Sequence, residues 1–241
     1  SRGLGDVYKR QLMLKQKDIT NAYTTQKWAK HVNFEHIRCL LIDLDDTLYP
    51  QDNGLWQLIR DRIHQFMLEQ FPFSHDEVEE LRHRLWRQYG TTLRGLVTEF
   101  DIDSDAYLEF VHDIPLENYL APDPELNQML QHLPQRKVIF TNASAPHAAR
   151  VMDVLGVSEQ FDKIIDILAI SPYCKPQPEA FHKALALINE QPQDCLLVDD
   201  SPVNLKAAQD LGVATVSIGH HRHDGSPHID NIKQLAGLFR L

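Results

Sequence analysis

HIRCLLIDLDDTLYP, residues 36–50, opens on an apolar run and closes on acids and a proline. The run is too short for a buried helix, and acids follow it directly. It reads as a buried parallel strand whose carboxyl end is Asp43. Similar runs recur at RKVIFTN (136–142), KIIDILAI (163–170), CLLVDD (195–200) and ATVSIG (214–219). Helical patterns separate them. HAARVMDVLG ends at Gly156, PEAFHKALALI has Pro178 at its start, and PVNLKAAQDLG runs from Pro202 to Gly212. Strands alternating with helices of this length predict an α/β chain with a parallel sheet covered on both faces.

The stretch after Asp52 is different. LWQLIRDRIHQFMLEQF, HDEVEELRHRLWRQYG and DAYLEFVHD carry helical periodicity and contain no strand run. The predicted organisation is a Rossmann-like core over 34–52 and 119–241, with a small helical cap over 53–118 inserted after the first strand. PDPELNQMLQHL, with Pro124, returns the chain to the sheet. Residues 1–33 form a polar extension, of which 1–11, SRGLGDVYKRQ, read as an assembly artefact ahead of a start near Met13.

Composition narrows the function classes. The chain has 241 residues, 43% hydrophobic, enough for one large domain carrying an insert. Its formal net charge of −10 repels nucleic-acid backbones and anionic membranes, so neither is the expected partner. No apolar run reaches the ~18 residues that span a bilayer. Three cysteines without a CxxC read as reduced thiols, and the expected location is cytoplasmic, as a monomer or homodimer.

Ligands of open α/β sheets bind beyond the carboxyl ends of the strands. Four of these runs end in reactive residues: Asp43 and Asp45; Thr141 and Asn142; Lys175; and Asp199 with Asp200. A carboxylate can attack phosphorus, and a second one two residues on can protonate the leaving oxygen and then activate water. Asp43 and Asp45 fit that pair, although a lone DxD also describes an acidic loop. Carboxylates converging at ~4 Å repel by about 4 kcal/mol at an effective dielectric near 20. A cation at the centre would remove that cost, and an all-oxygen set favours Mg²⁺. Of Asp199 and Asp200, one could instead cap the helix starting at Pro202, as could Ser201. Thr141 can hold a phosphoryl oxygen or cap a helix, and Ser144 is the more natural cap. Lys175 lies in a proline-bounded loop and is either a solvated charge or the cation that a phosphoryl site needs.

Other features carry less. The run HHRHDGSPH, with His220, His221, His223 and His228, matches no standard zinc spacing and reads as a surface loop. Trp28, Trp56 and Trp86 read as packing residues, and Arg60, Arg82, Arg84 and Arg87 as solvated helix faces with neighbouring acids.

DLDDT (43–47), FTNAS (140–144), KPQPEAF (175–181) and LLVDDSPVN (196–204) resemble, in order, the four motifs of the haloacid dehalogenase-like hydrolases. The resemblance implies a Mg²⁺-dependent phosphatase with Asp43 as nucleophile and metal ligand. Asp45 would be the general acid/base, its carbonyl on the ion. Thr141 and Lys175 would bind the phosphoryl group, and Asp200 with Asp199 would hold the metal. Asn204 departs from the family, many of whose members carry a further acid there. DLDDTLYP, YGTTLRGL (89–96), FVHDIPLENYLAPDP (110–124) and RKVIFTNASAPHAARVMDVLGV (136–157) are similar to the pyrimidine 5′-nucleotidase branch. That likeness implies a pyrimidine nucleoside monophosphate as substrate, with Tyr89, Thr92, Arg94 and His112 as candidate cap contacts; Asn142, at its strand end, is read as a substrate contact alongside Thr141 and Lys175. Sugar phosphates or phosphoglycolate are the alternative. A 2-haloacid dehalogenase would need neither Asp45 nor the acids at 199 and 200, and a non-catalytic phospho-ligand binder would not need the full set.

Overall fold

A computed structural model describes residues 34–239, so the readings of the N-terminal extension and of Trp28 lie outside the described residues. Six strands form one parallel sheet: β1 Cys39–Ile42, β2 Arg136–Phe140, β3 Lys163–Ile165, β4 Cys195–Asp199, β5 Ala214–Ile218 and β6 His228–Ile229. Their order is β3-β2-β1-β4-β5-β6, which puts the apolar run before Asp43 at the centre. All four residues of β1 are buried, as a strand covered on both faces requires.

The two faces follow from the alternation of side chains. Leu40 and Ile42 pack with α5 (Pro124–His132), α6 (Ala145–Leu155) and the C-terminal residues Leu235 and Phe239. Cys39 and Leu41 pack on the other face with α7 (Pro178–Ile188) and α8 (Pro202–Asp210). Cys39, Cys174 and Cys195 are free and buried.

The third run departs from its expectation. KIIDILAI reads as a strand over 163–170, but β3 stops at Ile165. The buried carboxylate of Asp166 accepts hydrogen bonds from the backbone N–H groups of Ala145 (2.9 Å) and Ala169 (2.8 Å). Those bonds fold the chain into a turn, and Ile167 and Ile170 go to two different cores. β6 begins at His228, the last residue of the histidine-rich stretch read as a loop, whose Nδ1 lies 2.9 Å from Ser217 Oγ on β5.

Four helices lie between β1 and α5: α1 Leu55–Gln70, α2 His75–Tyr89, α3 Thr92–Phe100 and α4 Ser104–His112. They share a core that includes Met67, Val78, Leu85 and Leu96, and that takes in Ile167 and Cys174 from the loop after β3. α2 and α3 approach closely because Gly95 has no side chain: a Cβ there would lie 2.6 Å from Leu85 Cβ. Arg94, beside it, fastens α3 to the loop after β3. Its guanidinium donates to the carbonyls of Ile167 and Tyr173 and to Ser171 Oγ.

Candidate active site

Because β1, β2 and β4 run parallel, their carboxyl ends bring Asp43, Thr141 and Asp199 to one edge. The loop after β3 adds Lys175, which is 1% exposed. Lys175 Nζ donates to Asp43 Oδ1 at 2.8 Å and to Asp199 Oδ2 at 2.7 Å. The Asn142 amide clips the Lys175 peptide from both sides, accepting from its N–H (2.9 Å) and donating to its carbonyl (3.0 Å). Asn142 thus spends its amide on placing the lysine.

The charges do not balance. Burial pushes the Asp43 carboxyl well above the carboxylate range, and Asp199 and Asp200 add to the rise against the opposing pull of Lys175. Burial and Asp199 raise Asp200 to about 6. Burial pulls the Lys175 ammonium down, but Asp199 and Asp43 outweigh it and hold the group charged. One ammonium therefore faces three carboxylates whose oxygens lie within 4.8 Å of one another.

The tandem acids differ in what they have left to give. Asp199 accepts from Lys175, from the Ser201 N–H at 2.9 Å and from Asn204 Nδ2 at 3.0 and 3.1 Å, so both its oxygens are engaged. Asp200 accepts from Gln51 Nε2 at 3.0 Å and lines the cavity. Hard oxygen donors with unmet negative charge suit a divalent cation such as Mg²⁺, and Asp43 and Asp200 are the pair with capacity for it.

Asp45, two residues beyond Asp43, lines the same cavity. Its Oδ1 accepts from Tyr49 Oη at 2.5 Å and lies 3.2 Å from His147 Nε2. Burial alone would raise its carboxyl, but the bonds to His147 and Tyr49 outweigh burial and hold it below the usual range. His112, from the end of α4, stacks on His147 with ring centroids 4.2 Å apart and planes 13° apart. Burial, then the neighbouring His147, bring His112 down to about 3, so its ring is neutral.

A cavity of about 700 Å³ opens over these groups, with Asp43, Asp45, Thr141, Lys175 and Asp200 on its floor. His112 lines it, whereas Arg94 and Tyr89 do not. Arg94 is spent on the loop after β3, and the Tyr89 hydroxyl donates to Glu99 at 2.9 Å. The packing assigned to Trp56 and Trp86 is not what the fold shows: they line the cap wall and are 41% and 54% exposed. Arg82 and Arg84 pair with Glu79 and Glu99, whereas Arg60 and Arg87 line the same wall with no ion pair among the described residues. Sequence reading passed over Tyr49, Gln51 and His147. Tyr49 stands one helical step beyond Asp45 in the opening stretch, but nothing in the sequence ties Gln51 or His147 to it.

Comparison with known proteins adds to this geometry. The chain is 29% identical over 194 residues to phosphate metabolism protein 8 of Saccharomyces cerevisiae, covering 74% of this chain and 60% of that protein. It thus spans less than two thirds of that relative's length. It is 25% identical over 187 residues to a phosphoglycolate phosphatase of Aquifex aeolicus, covering 74% of this chain and 83% of that one. Among solved structures, CbbY from Rhodobacter sphaeroides, in complex with phosphate, superposes with a TM-score of 0.62 at 19% identity, covering 84% of this chain and 99% of that one, a likeness of fold. The family described as haloacid dehalogenase-like hydrolase matches residues 37–212. The chain belongs to the haloacid dehalogenase-like hydrolase family.

Proposed function

We propose that the protein is a Mg²⁺-dependent phosphomonoesterase working through an aspartyl-phosphate on Asp43. The observation that carries this reading is the buried Asp43–Lys175–Asp199 triad, whose Asp43 and Lys175 line the floor of the cavity together with Asp200 and Asp45. Lys175 fixes the Asp43 carboxylate, and Asp199, saturated by its own donors, fixes Lys175. Asp43, Asp200 and the Asp45 carbonyl would hold the ion, whose charge, when bound, offsets that of the carboxylates and of the phosphoryl group. Asp43 attacks phosphorus, and Asp45, ionised in the free protein and protonated on arrival of the phosphate ester, gives that proton to the departing alcohol oxygen. Asp45 then takes a proton from the water that cleaves the acyl phosphate. Lys175 and the buried Thr141 hold the phosphoryl oxygens. Thr141 Oγ1 accepts from the Ala143 N–H at 2.9 Å, which leaves its hydroxyl proton to donate.

The substrate in this reading is a pyrimidine nucleoside 5′-monophosphate. Support comes from the likeness of the cap segments and from the cap wall, where Trp56 and Trp86 offer flat faces and Arg60 and Arg87 offer charge with no ion pair among the described residues. The name of the Aquifex relative favours a smaller ester such as phosphoglycolate. The test is phosphate release from UMP, CMP, AMP, GMP, sugar phosphates and phosphoglycolate, with and without Mg²⁺, alongside chloride release from 2-haloacids. The expected result is Mg²⁺-dependent release led by UMP and CMP. A flat profile would leave a general phosphatase, and metal-free chloride release without phosphate release would overturn the reading.

A further inference from the structure

Helix α6 carries three grips on the end of the cap. Ser144, His147 and Arg150 stand three residues apart and share one face. Ser144 Oγ lies 3.0 Å from His112 Nδ1, the His147 ring lies flat against the His112 ring, and Arg150 donates to the carbonyls of His112 (3.0 Å) and Ile114 (2.6 Å). Helix capping and cap docking account for Ser144 and Arg150. They do not account for His147, whose side chain is fully buried and points at Asp45.

The His147 imidazole has one hydrogen bond among the described residues, from Nε2 to Asp45, and its Nδ1 is buried without a partner. A buried imidazole serving only as packing forfeits both polar atoms, and a leucine would fill the space at lower cost. Both contacts to Asp45, from His147 and Tyr49, fall on Oδ1. Oδ2 is left without a hydrogen bond among the described residues. A carboxyl held by two donors on one oxygen has its second oxygen fixed in direction.

We propose that His147 is the positioning residue of the general acid: it aims Asp45 Oδ2 at the leaving-group oxygen, and the His112 ring from the cap holds the His147 ring in plane. The inference rests on the phosphatase reading. It concerns only the step in which the P–O(alcohol) bond breaks, the Asp43–P bond forms and the Asp45 proton passes to the alcohol oxygen. His147 touches neither substrate nor the reacting atoms.

Leaving-group dependence separates positioning from packing. An alkyl alcohol needs the proton, whereas p-nitrophenolate leaves without it. kcat/KM reports the steps through departure of the alcohol, so slower cleavage of the intermediate does not enter. The probes are p-nitrophenyl phosphate and the best alkyl ester among UMP, phosphoglycolate and glycerol 3-phosphate, assayed on the full chain with Mg²⁺. For H147L, kcat/KM on the alkyl ester is expected to fall by about 10²-fold, the lower end of what a positioned acid contributes, and by less than about fivefold on p-nitrophenyl phosphate. H147Q, whose amide nitrogen reaches the place of Nε2, is expected to recover most of the loss. Should H147L fail to fold, H147N, polar and too short to reach Asp45, is expected to show the same split. Equal losses on both esters, no loss on either, or no recovery in H147Q would overturn the proposal while leaving the phosphatase reading intact. A wild-type protein that hydrolyses no ester of the panel would overturn both.

Discussion

His112 is a histidine kept neutral by its surroundings, and that has a cost that depends on pH. The titratable and charged groups facing it are His147 and Arg150 on α6 and Asp45 after β1; burial and His147 lower it to about 3, with Arg150 adding and Asp45 opposing. In the unfolded chain it takes up a proton near pH 6.5, in the folded chain only near 3. Below pH 6.5 the unfolded state therefore binds the extra proton, so the stability contributed by His112 is full above that pH and drains away as pH falls toward 3. Replacing it with phenylalanine keeps a flat ring on His147 and removes the proton. Denaturant unfolding between pH 6.5 and 4.5 is expected to show wild type losing on the order of 1 kcal/mol per pH unit more than H112F; parallel slopes would contradict the assignment. At this scale the sequence was partly legible. Asp43, Asp45, Thr141 and Asp200 were readable because they stand at or just past the end of an apolar run, and Lys175 because it follows another such run in a proline-bounded loop. What Asp199 does was not, because its donors come from the loop after β3, the β4–α8 turn and α8 itself. His147 was invisible for the same reason: its meaning depends on a partner 102 residues away.

The elements divide into those that local pattern sets and those that tertiary contacts set. β1, β2, β4 and β5 are apolar runs bounded by polar residues, and they form where they were read. β3 was overread because Asp166 looks from sequence like an acid inside a strand. In the fold it is a buried hydrogen-bond acceptor that turns the chain toward Lys175. The cap helices were legible by period, but which face meets the cavity was not. Trp56 and Trp86, read as packing residues, open onto the cavity. The α2–α3 contact makes a direct test of the packing. G95A would place a methyl 2.6 Å from Leu85 Cβ, between two helix backbones that cannot part without disturbing Arg94. The expected cost is about 1–3 kcal/mol of stability by chemical denaturation, despite the better helix propensity of alanine. A neutral or stabilising effect would show that the two helices do not sit this close.

For the whole molecule the governing fact is charge. A net charge of −10 does not attract a phosphate ester, so binding has to come from a local reversal of field. The fold supplies two: the floor, where Lys175 faces three carboxylates and reverses the field only with the proposed cation beside it, and the cap wall above, with Arg60 and Arg87. The sheet brings the first into place because parallel strands end together, and the cap insertion brings the second. Both depend on the loop after β3, which carries Lys175 at one end and is held to the cap by Arg94. In the proposed reading these parts let a carboxylate attack an anion, and the bond it forms is the thing to look for. Enzyme mixed with ³²P-labelled substrate and Mg²⁺ and quenched in acid over milliseconds to seconds should carry label on Asp43, released by hydroxylamine and absent from D43N. Turnover of the substrate with no label on Asp43 at any quench time would contradict the account.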